Sequence, residues 1–186
     1  MTTAIILAGG RAARLGGVDK AGVEIAGRSL IDTVLAAVAG MDRVIAVGPE
    51  TVARPGVRVV REDPPFGGPV AGIAAALHSV DDDEVWLLAC DLPRASFIVS
   101  QLRDVPLDSF DGVILADADG RAQWLAGRYR TASLRTALAD LSSERDASMR
   151  ALVGGLALRP VPDAANASFD VDTWDDVRLA NGFRGE

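Results

Sequence analysis

Short unbroken apolar runs, alternating with stretches of helical period, constrain this chain more than any other feature. Residues 3–7 (Thr-Ala-Ile-Ile-Leu) form the first run, and residues 84–90 (Glu-Val-Trp-Leu-Leu-Ala-Cys) form the strongest. Runs of this kind, without polar alternation, predict strands buried on both faces. Valine-rich runs at 43–47 and 57–60, and further runs at 112–116 and 156–161, predict more strands. Between them lie helical segments. Residues 29–38 place Leu30, Ile31, Val34, Leu35 and Val38 on one face. Residues 70–79 follow Pro69, which suits a first helical turn. Further helices are expected at 96–103, 131–141, 146–153 and 173–181. Ser29 with Asp32, and Thr173 with Asp176, have the spacing of N-terminal capping boxes. Strands alternating with helices make a mostly parallel sheet covered on both faces. Residues 123–129 read as an antiparallel addition beside 112–116.

The bulk properties narrow the function. A chain of 186 residues that is 49% hydrophobic suits one domain, taken as residues 1–186, with a sizeable core. A formal net charge of −7 argues against a nucleic-acid partner, which needs a basic face. With Cys90 as the single cysteine, an intrachain disulfide and a zinc finger are both excluded. The first eight residues lack the basic start and apolar stretch of a signal peptide. No apolar run approaches the roughly 18 residues of a membrane span. The expectation is a cytoplasmic protein with no membrane partner.

Chemistry concentrates where the strands end, because open parallel sheets bind ligands at their carboxyl edges. The first strand runs into Leu7-Ala8-Gly9-Gly10-Arg11-Ala12-Ala13-Arg14-Leu15-Gly16-Gly17-Val18-Asp19-Lys20. Gly9 and Gly10 permit close backbone approach, and successive amides in such a loop form a nest for anions. Arg11, Arg14 and Lys20 supply the charge to neutralise a triphosphate. The spacing is neither the dinucleotide glycine fingerprint nor the P-loop, since no glycine falls two places after Gly10 and no Gly-Lys-Ser/Thr triplet follows.

The strongest strand ends at Cys90-Asp91-Leu92-Pro93. Asp91 is placed to hold Mg²⁺, a hard ion that takes carboxylate and phosphate oxygens. Position alone leaves a turn or helix-cap aspartate equally open. Cys90 reads as a small buried filler. Residues 62–72 (Glu-Asp-Pro-Pro-Phe-Gly-Gly-Pro-Val-Ala-Gly) make a rigid, irregular lead into a helix, and composition alone makes them a connector. In Phe169-Asp170-Val171-Asp172-Thr173 the two carboxylates point the same way if the segment is extended, and either can complete a metal site. Asp172 is the choice here. Asp81/Asp83 and Asp117/Asp119 read as solvated turn charges, and His78 as structural.

Leu-Ala-Gly-Gly followed by Arg-x-x-Arg-Leu-Gly-Gly-Val-Asp-Lys resembles the signature of the molybdenum cofactor guanylyltransferases, the MobA family. The resemblance runs from Ile5 to the last helix. It implies a Rossmann-like, three-layer α/β nucleotidyltransferase fold. It implies that Leu7, Ala8, Gly9 and Gly10 cradle the GTP triphosphate, that Lys20 contacts the phosphates and that Arg14 helps. Cys90-Asp91-Leu92-Pro93 matches the family's Cys-Asp-x-Pro, which makes Asp91 a Mg²⁺ ligand by resemblance. Asp63 would contact the nucleotide. Gly68-Pro69-Val70-Ala71-Gly72 matches the Gly-Pro-Leu-Ala-Gly that helps to choose guanine, with one conservative change. Ser143-Glu144-Arg145 is similar to a stretch near the second substrate, and residues 117–121 to a turn before the strand that shapes the acceptor pocket. The family usually has Asn-x-Asn-Thr-Pro where this chain has Asp170-Val171-Asp172-Thr173-Trp174, which alters the detail of the metal site.

The reading is therefore transfer of GMP from GTP to a molybdopterin-type acceptor with release of pyrophosphate. Asp91 and Asp172 would be the Mg²⁺ ligands, and Lys20 and Arg14 would stabilise charge on the leaving side. Transient contact with other cofactor-biosynthesis proteins is implied with it. Alternatives are a CTP-dependent molybdopterin cytidylyltransferase, a relative acting on a sugar phosphate or cobinamide phosphate, and a non-catalytic nucleotide-binding module.

Overall fold

The computed structural model describes residues 1–9 and 17–182. Gly10, Arg11 and Arg14 of the glycine-rich loop lie outside the described residues. In chain order the elements begin with β1 (Thr3–Leu7), β2 (Glu24–Ile25), β3 (Arg28–Ser29), α1 (Leu30–Ala37), β4 (Arg43–Val47), β5 (Arg58–Val60), α2 (Gly68–Leu77) and β6 (Glu84–Ala89). They continue with α3 (Ala95–Leu102), β7 (Gly112–Ala116), β8 (Ala122–Arg130), α4 (Thr131–Ala139), α5 (Met149–Val153), β9 (Leu158–Pro162) and α6 (Trp174–Gly182).

All five residues of β1 are buried, and their side chains alternate between two cores. Ala4 and Ile6 pack with Trp86 and Leu88 of β6 and with α1 and α3. Ile5 and Leu7 pack with Ile45, Val47 and Leu87 and with α2, α4 and α5. One sheet between two helical layers follows directly from that alternation. The sheet has seven strands in the order β5-β4-β1-β6-β8-β7-β9. β5, β4, β1 and β6 run parallel, and β7 pairs in parallel with β9. Among the described residues β8 alone runs the other way, antiparallel to both β6 and β7. The expected antiparallel addition is thus an internal strand. The order reverses at β1, which continues outward to β4 and back to β6 on its other side. Such a switch point opens a crevice at the carboxyl edge.

Close approach of α2 to the sheet depends on Gly72, where a Cβ would stand 2.8 Å from Val47 Cγ1. The capping boxes form as expected. Ser29 Oγ accepts from the Asp32 amide at 3.2 Å, and Thr173 Oγ1 from the Asp176 amide at 3.2 Å. The helix expected from 146 begins only at Met149, because Ser148 caps it and Asp146 has a φ of 58°. A small hairpin, β2–β3, was not expected. Its strands are two residues each, and Ala26 and Gly27 turn it with φ of 55° and 81°. It forms a third cluster with α6, through Val23, Ile25, Leu30, Val171, Val177 and Ala180. No helix among the described residues is long and apolar enough to cross a membrane.

Candidate functional site

The carboxyl ends of β1, β4 and β6 are drawn together by backbone bonds that continue past the strands. The Ala8 amide donates to the Val47 carbonyl at 2.8 Å, and the Cys90 amide to the Leu7 carbonyl at 3.0 Å. Gly48 lets the chains meet, since a Cβ there would lie 3.1 Å from the Ala8 carbonyl. A cavity of about 910 Å³ opens above this junction, walled by Leu7, Ala8, Gly9, Lys20, Gly68 and Asp91 among others. The Ala8 amide is engaged in the sheet and is therefore not free to join the anion nest expected from the sequence.

Lys20 starts a short 3-10 turn, Lys20–Gly22, capped by Asp19, whose Oδ1 accepts from the Ala21 amide at 3.2 Å. Asp19 is held in turn by Thr51 Oγ1, which donates to its Oδ2 at 2.8 Å. From this braced position Lys20 Nζ donates to Asp91 Oδ2 at 2.5 Å and to Asp172 Oδ1 at 2.6 Å. Burial opposes the ammonium charge, but Asp91 and Asp172 outweigh it and hold the Lys20 pKa above its ordinary value.

Asp170 joins these carboxylates. Asp91, Asp170 and Asp172 each bring an oxygen within 4.8 Å of the others. The segment that carries the latter two is bound to the Asp91 backbone, with the Val171 amide donating to the Asp91 carbonyl at 3.1 Å. Val171 between them is fully buried, while the Asp170 and Asp172 carboxylates both reach toward Asp91. The Asp170 carboxyl sits above its ordinary range, first through burial and then through the charges of Asp91 and Asp172. Asp91 Oδ1 is buried without a hydrogen-bond partner, and such an oxygen calls for a cation. All-oxygen donors with this surplus of negative charge fit a hard divalent ion such as Mg²⁺.

Asp163 braces the approach to this segment. Its carboxylate accepts from the Ala167 amide at 2.8 Å and from the Ser168 amide and hydroxyl, both at 2.7 Å. Cys90 is buried, and burial, reinforced by Asp91, pushes its thiol up to about 12, so it serves as a filler and not as a nucleophile.

The far wall of the cavity comes from residues 62–72 and the loop before α5. Gly68 lines it at a φ of 90°. Asp63 is exposed and does not line it; Glu62 does, and its Oε1 accepts from the Phe66 amide at 2.9 Å. Phe66 is 57% exposed with a φ of 68°, and the Asp146 amide fastens this wall by donating to the Gly67 carbonyl at 2.7 Å. Arg145 and Asp146 line the cavity too. Glu62, Phe66 and Asp146 escaped the sequence reading. The lone aromatic in a Pro/Gly stretch was a usable signal for Phe66, and nothing local marked Asp146.

A second cavity of about 250 Å³ lies beyond Asp91, lined by Gln123, Trp124, Met149, Ser168 and Asp170 among others. Asp91 borders both cavities, Asp172 the first and Asp170 the second. His78 is structural, its Nδ1 2.8 Å from the Ala74 carbonyl oxygen. Asp117 organises a turn by accepting from the Asp119 and Arg121 amides at 3.0 and 2.9 Å.

Residues 4–161 match the model of the MobA-like NTP transferase domain. The molybdenum cofactor guanylyltransferase of Rhodopseudomonas palustris (strain BisB5) is 35% identical over 132 residues, 65% of this chain and 63% of that protein. A probable molybdenum cofactor guanylyltransferase of Nostoc sp. (strain PCC 7120 / SAG 25.82 / UTEX 2576) is 36% identical over 137 residues, 69% and 65% of the two chains. The chain spans about half the length of other curated relatives it matches, such as that of Photobacterium profundum, 33% identical with 50% of each covered. Among solved structures, Rv0371c from Mycobacterium tuberculosis H37Rv is similar at a TM-score of 0.76 and 24% identity, over 97% of each chain. Molybdopterin-guanine dinucleotide biosynthesis protein A from Archaeoglobus fulgidus is similar at 0.69 and 21%, over 98% of this chain and 97% of that one. The domain match runs from β1 into β9, the shared fold takes in nearly every residue, and the chain belongs to the MobA-like NTP transferase domain family.

Proposed function

We propose that this protein transfers GMP from GTP to the terminal phosphate of a molybdopterin-type acceptor and releases pyrophosphate. The observation that carries the reading is the convergence of Lys20, Asp91 and Asp172. Asp91 and Asp172 lie 71 and 152 residues from Lys20 in sequence, and all three meet at one end of a large cavity at the carboxyl edge. The names of the relatives supply the nucleotide and the acceptor.

In this scheme an oxygen of the acceptor phosphate forms a bond to the α-phosphorus of GTP. The bond from that phosphorus to the bridging oxygen breaks, and pyrophosphate leaves. Such chemistry needs positioning and charge neutralisation more than a covalent nucleophile, in keeping with the inert Cys90. Leu7, Ala8 and Gly9 provide the backbone wall along which the triphosphate lies, and Arg14 would add its charge to that of Lys20. Lys20 offers a positive charge for the phosphates. Asp91 and Asp172 would hold Mg²⁺, which when bound withdraws charge from the phosphate oxygens. The first cavity takes the nucleotide and the second the acceptor, so the two approach across Asp91. Gly68 and Pro69 flank the base, and Asp63 holds its place outside the cavity as an outer contact.

The purified protein, given the molybdopterin acceptor, Mg²⁺ and either GTP or CTP, will release pyrophosphate with GTP and form a product whose mass corresponds to the guanine dinucleotide. Equal or greater product from CTP would overturn the guanine assignment, and no product from either would overturn the transferase reading.

A further inference from the structure

Lys20 is placed where a divalent cation would act. Its ammonium lies 2.5 Å from Asp91 Oδ2 and 2.6 Å from Asp172 Oδ1, and these are two of the three carboxylates that meet within 4.8 Å. The lysine side chain is only 20% exposed and Asp91 17%, so water screens this pair poorly. An ammonium and a divalent ion on the same oxygens repel one another, and both cannot neutralise them at short range.

The position is built and not incidental. Asp19 caps the turn that begins at Lys20 and is itself tied to Thr51. Asp172 is fixed from the other side, its amide donating to Asp176 Oδ2 at 3.1 Å. Asp91 Oδ1, buried and without a partner, remains as the oxygen that Lys20 does not satisfy. One ammonium among three carboxylates leaves a residual negative charge that attracts a cation, while the ammonium itself resists one.

We infer that Lys20 is a built-in competitor of the divalent cation. It holds Asp91 and Asp172 together and weakens binding of the free ion, and it yields its place when an anionic phosphate chain draws the ammonium away. The ion is then taken up with the nucleotide and not ahead of it. This rests on the reading that the carboxylate cluster takes a divalent cation, and it adds to Lys20 a role that a phosphate contact alone does not require.

Binding of Mn²⁺ alone, without nucleotide, tests it by electron paramagnetic resonance on the wild type, Lys20→Met, Lys20→Arg and the Lys20→Met/Asp91→Asn double variant. Removing the competing charge should tighten Mn²⁺ binding by on the order of tenfold or more in Lys20→Met. Lys20→Arg keeps a competing charge and should stay near the wild type. The double variant should lose the gain. Lys20→Met binding no tighter than the wild type, or a gain that survives Asp91→Asn, overturns the inference. Thermal unfolding gives a second reading if the variant is fragile: Mn²⁺ should raise the midpoint of Lys20→Met more than that of the wild type. A smaller or equal rise counts against it. Neither measurement involves turnover, so failure here leaves the GTP assignment standing, and a preference for CTP leaves the competition intact.

Discussion

Asp91 carries more of the site than any other side chain. One oxygen binds Lys20, the other is buried without a partner, and the residue borders both cavities. Its place at the end of β6 gives it little freedom, because the Cys90 amide is tied to Leu7 and the Val171 amide to the Asp91 carbonyl. Asp91→Asn keeps the shape and removes the charge. It should lower kcat of the proposed transfer by on the order of a hundredfold or more, as loss of a preorganised electrostatic group does, with a smaller effect on KM for GTP. Steady-state kinetics of the purified variant would show this, and an unchanged kcat would remove Asp91 from the chemistry. At this scale the residues at or just past strand ends were legible. Leu7 ends β1, Gly9 and Asp91 lie just past β1 and β6, and all three line the cavity, as does Lys20 at the start of its short turn. Side-chain direction was not legible in the irregular loop, where Asp63 is exposed while its neighbour Glu62 lines the wall. Neighbours in an irregular Pro/Gly segment point in directions that no periodicity fixes.

Among the elements, the stretch from β9 to α6 shows how non-regular chain is made rigid. Asp163 gathers the Ala167 and Ser168 amides and the Ser168 hydroxyl, and Asp176 gathers the Asp172 and Thr173 amides. Between these two anchors the Asp170-Val171-Asp172 segment is tied to the Asp91 carbonyl through the Val171 amide. Burial opposes the Asp163 charge, but the Ser168 and Ala167 amides, the Ser168 hydroxyl and Gln101 prevail and hold its pKa below the ordinary value. A depressed carboxyl stabilises the fold above its unfolded pKa, near 3.9, and the contribution is lost as pH falls through the folded value. Asp163→Asn should therefore cost about 1–3 kcal/mol at pH 7. The gap to the wild type should close progressively in urea titrations taken below about pH 4. A gap independent of pH would mean that the charge contributes nothing. The capping boxes at Ser29 and Thr173 were legible because their chemistry is local. The two-residue strands of the β2–β3 hairpin were not, since too few residues exist to show a period. The late start of α5 turned on Ser148, whose hydroxyl accepts from the Ala151 amide at 3.1 Å, a cap that stops the helix reaching back to Asp146.

On the scale of the whole molecule, the alternating apolar runs made the three layers readable, because a parallel sheet with both faces covered is what such runs can bury. The strand order was not readable, and with it the fact that β8 sits inside the sheet. Pairing is decided by contacts far apart in sequence, such as Glu84 with Arg130, which local pattern does not encode. Asp91, Asp170 and Asp172 converge at the cavities and not inside the two cores that flank the sheet, so the fold should stand without the proposed ion. Chelation with excess EDTA should abolish pyrophosphate release and leave the far-ultraviolet circular dichroism unchanged. Loss of both signals together would make the ion part of the fold. The reversed direction of β8 carries a last consequence. Because it runs against β6, the start of β8, residues 122–126, meets the end of β6 and walls the second cavity, and the tight turn at Asp117 stands directly before it. Turn tips absorb added residues far more readily than buried strands. Insertions at that turn can therefore remodel the smaller chamber while Lys20 and Asp91 keep their places. The fold in this way offers natural variation, or an engineer, a place to diversify what one half of the crevice accepts without disturbing the other half.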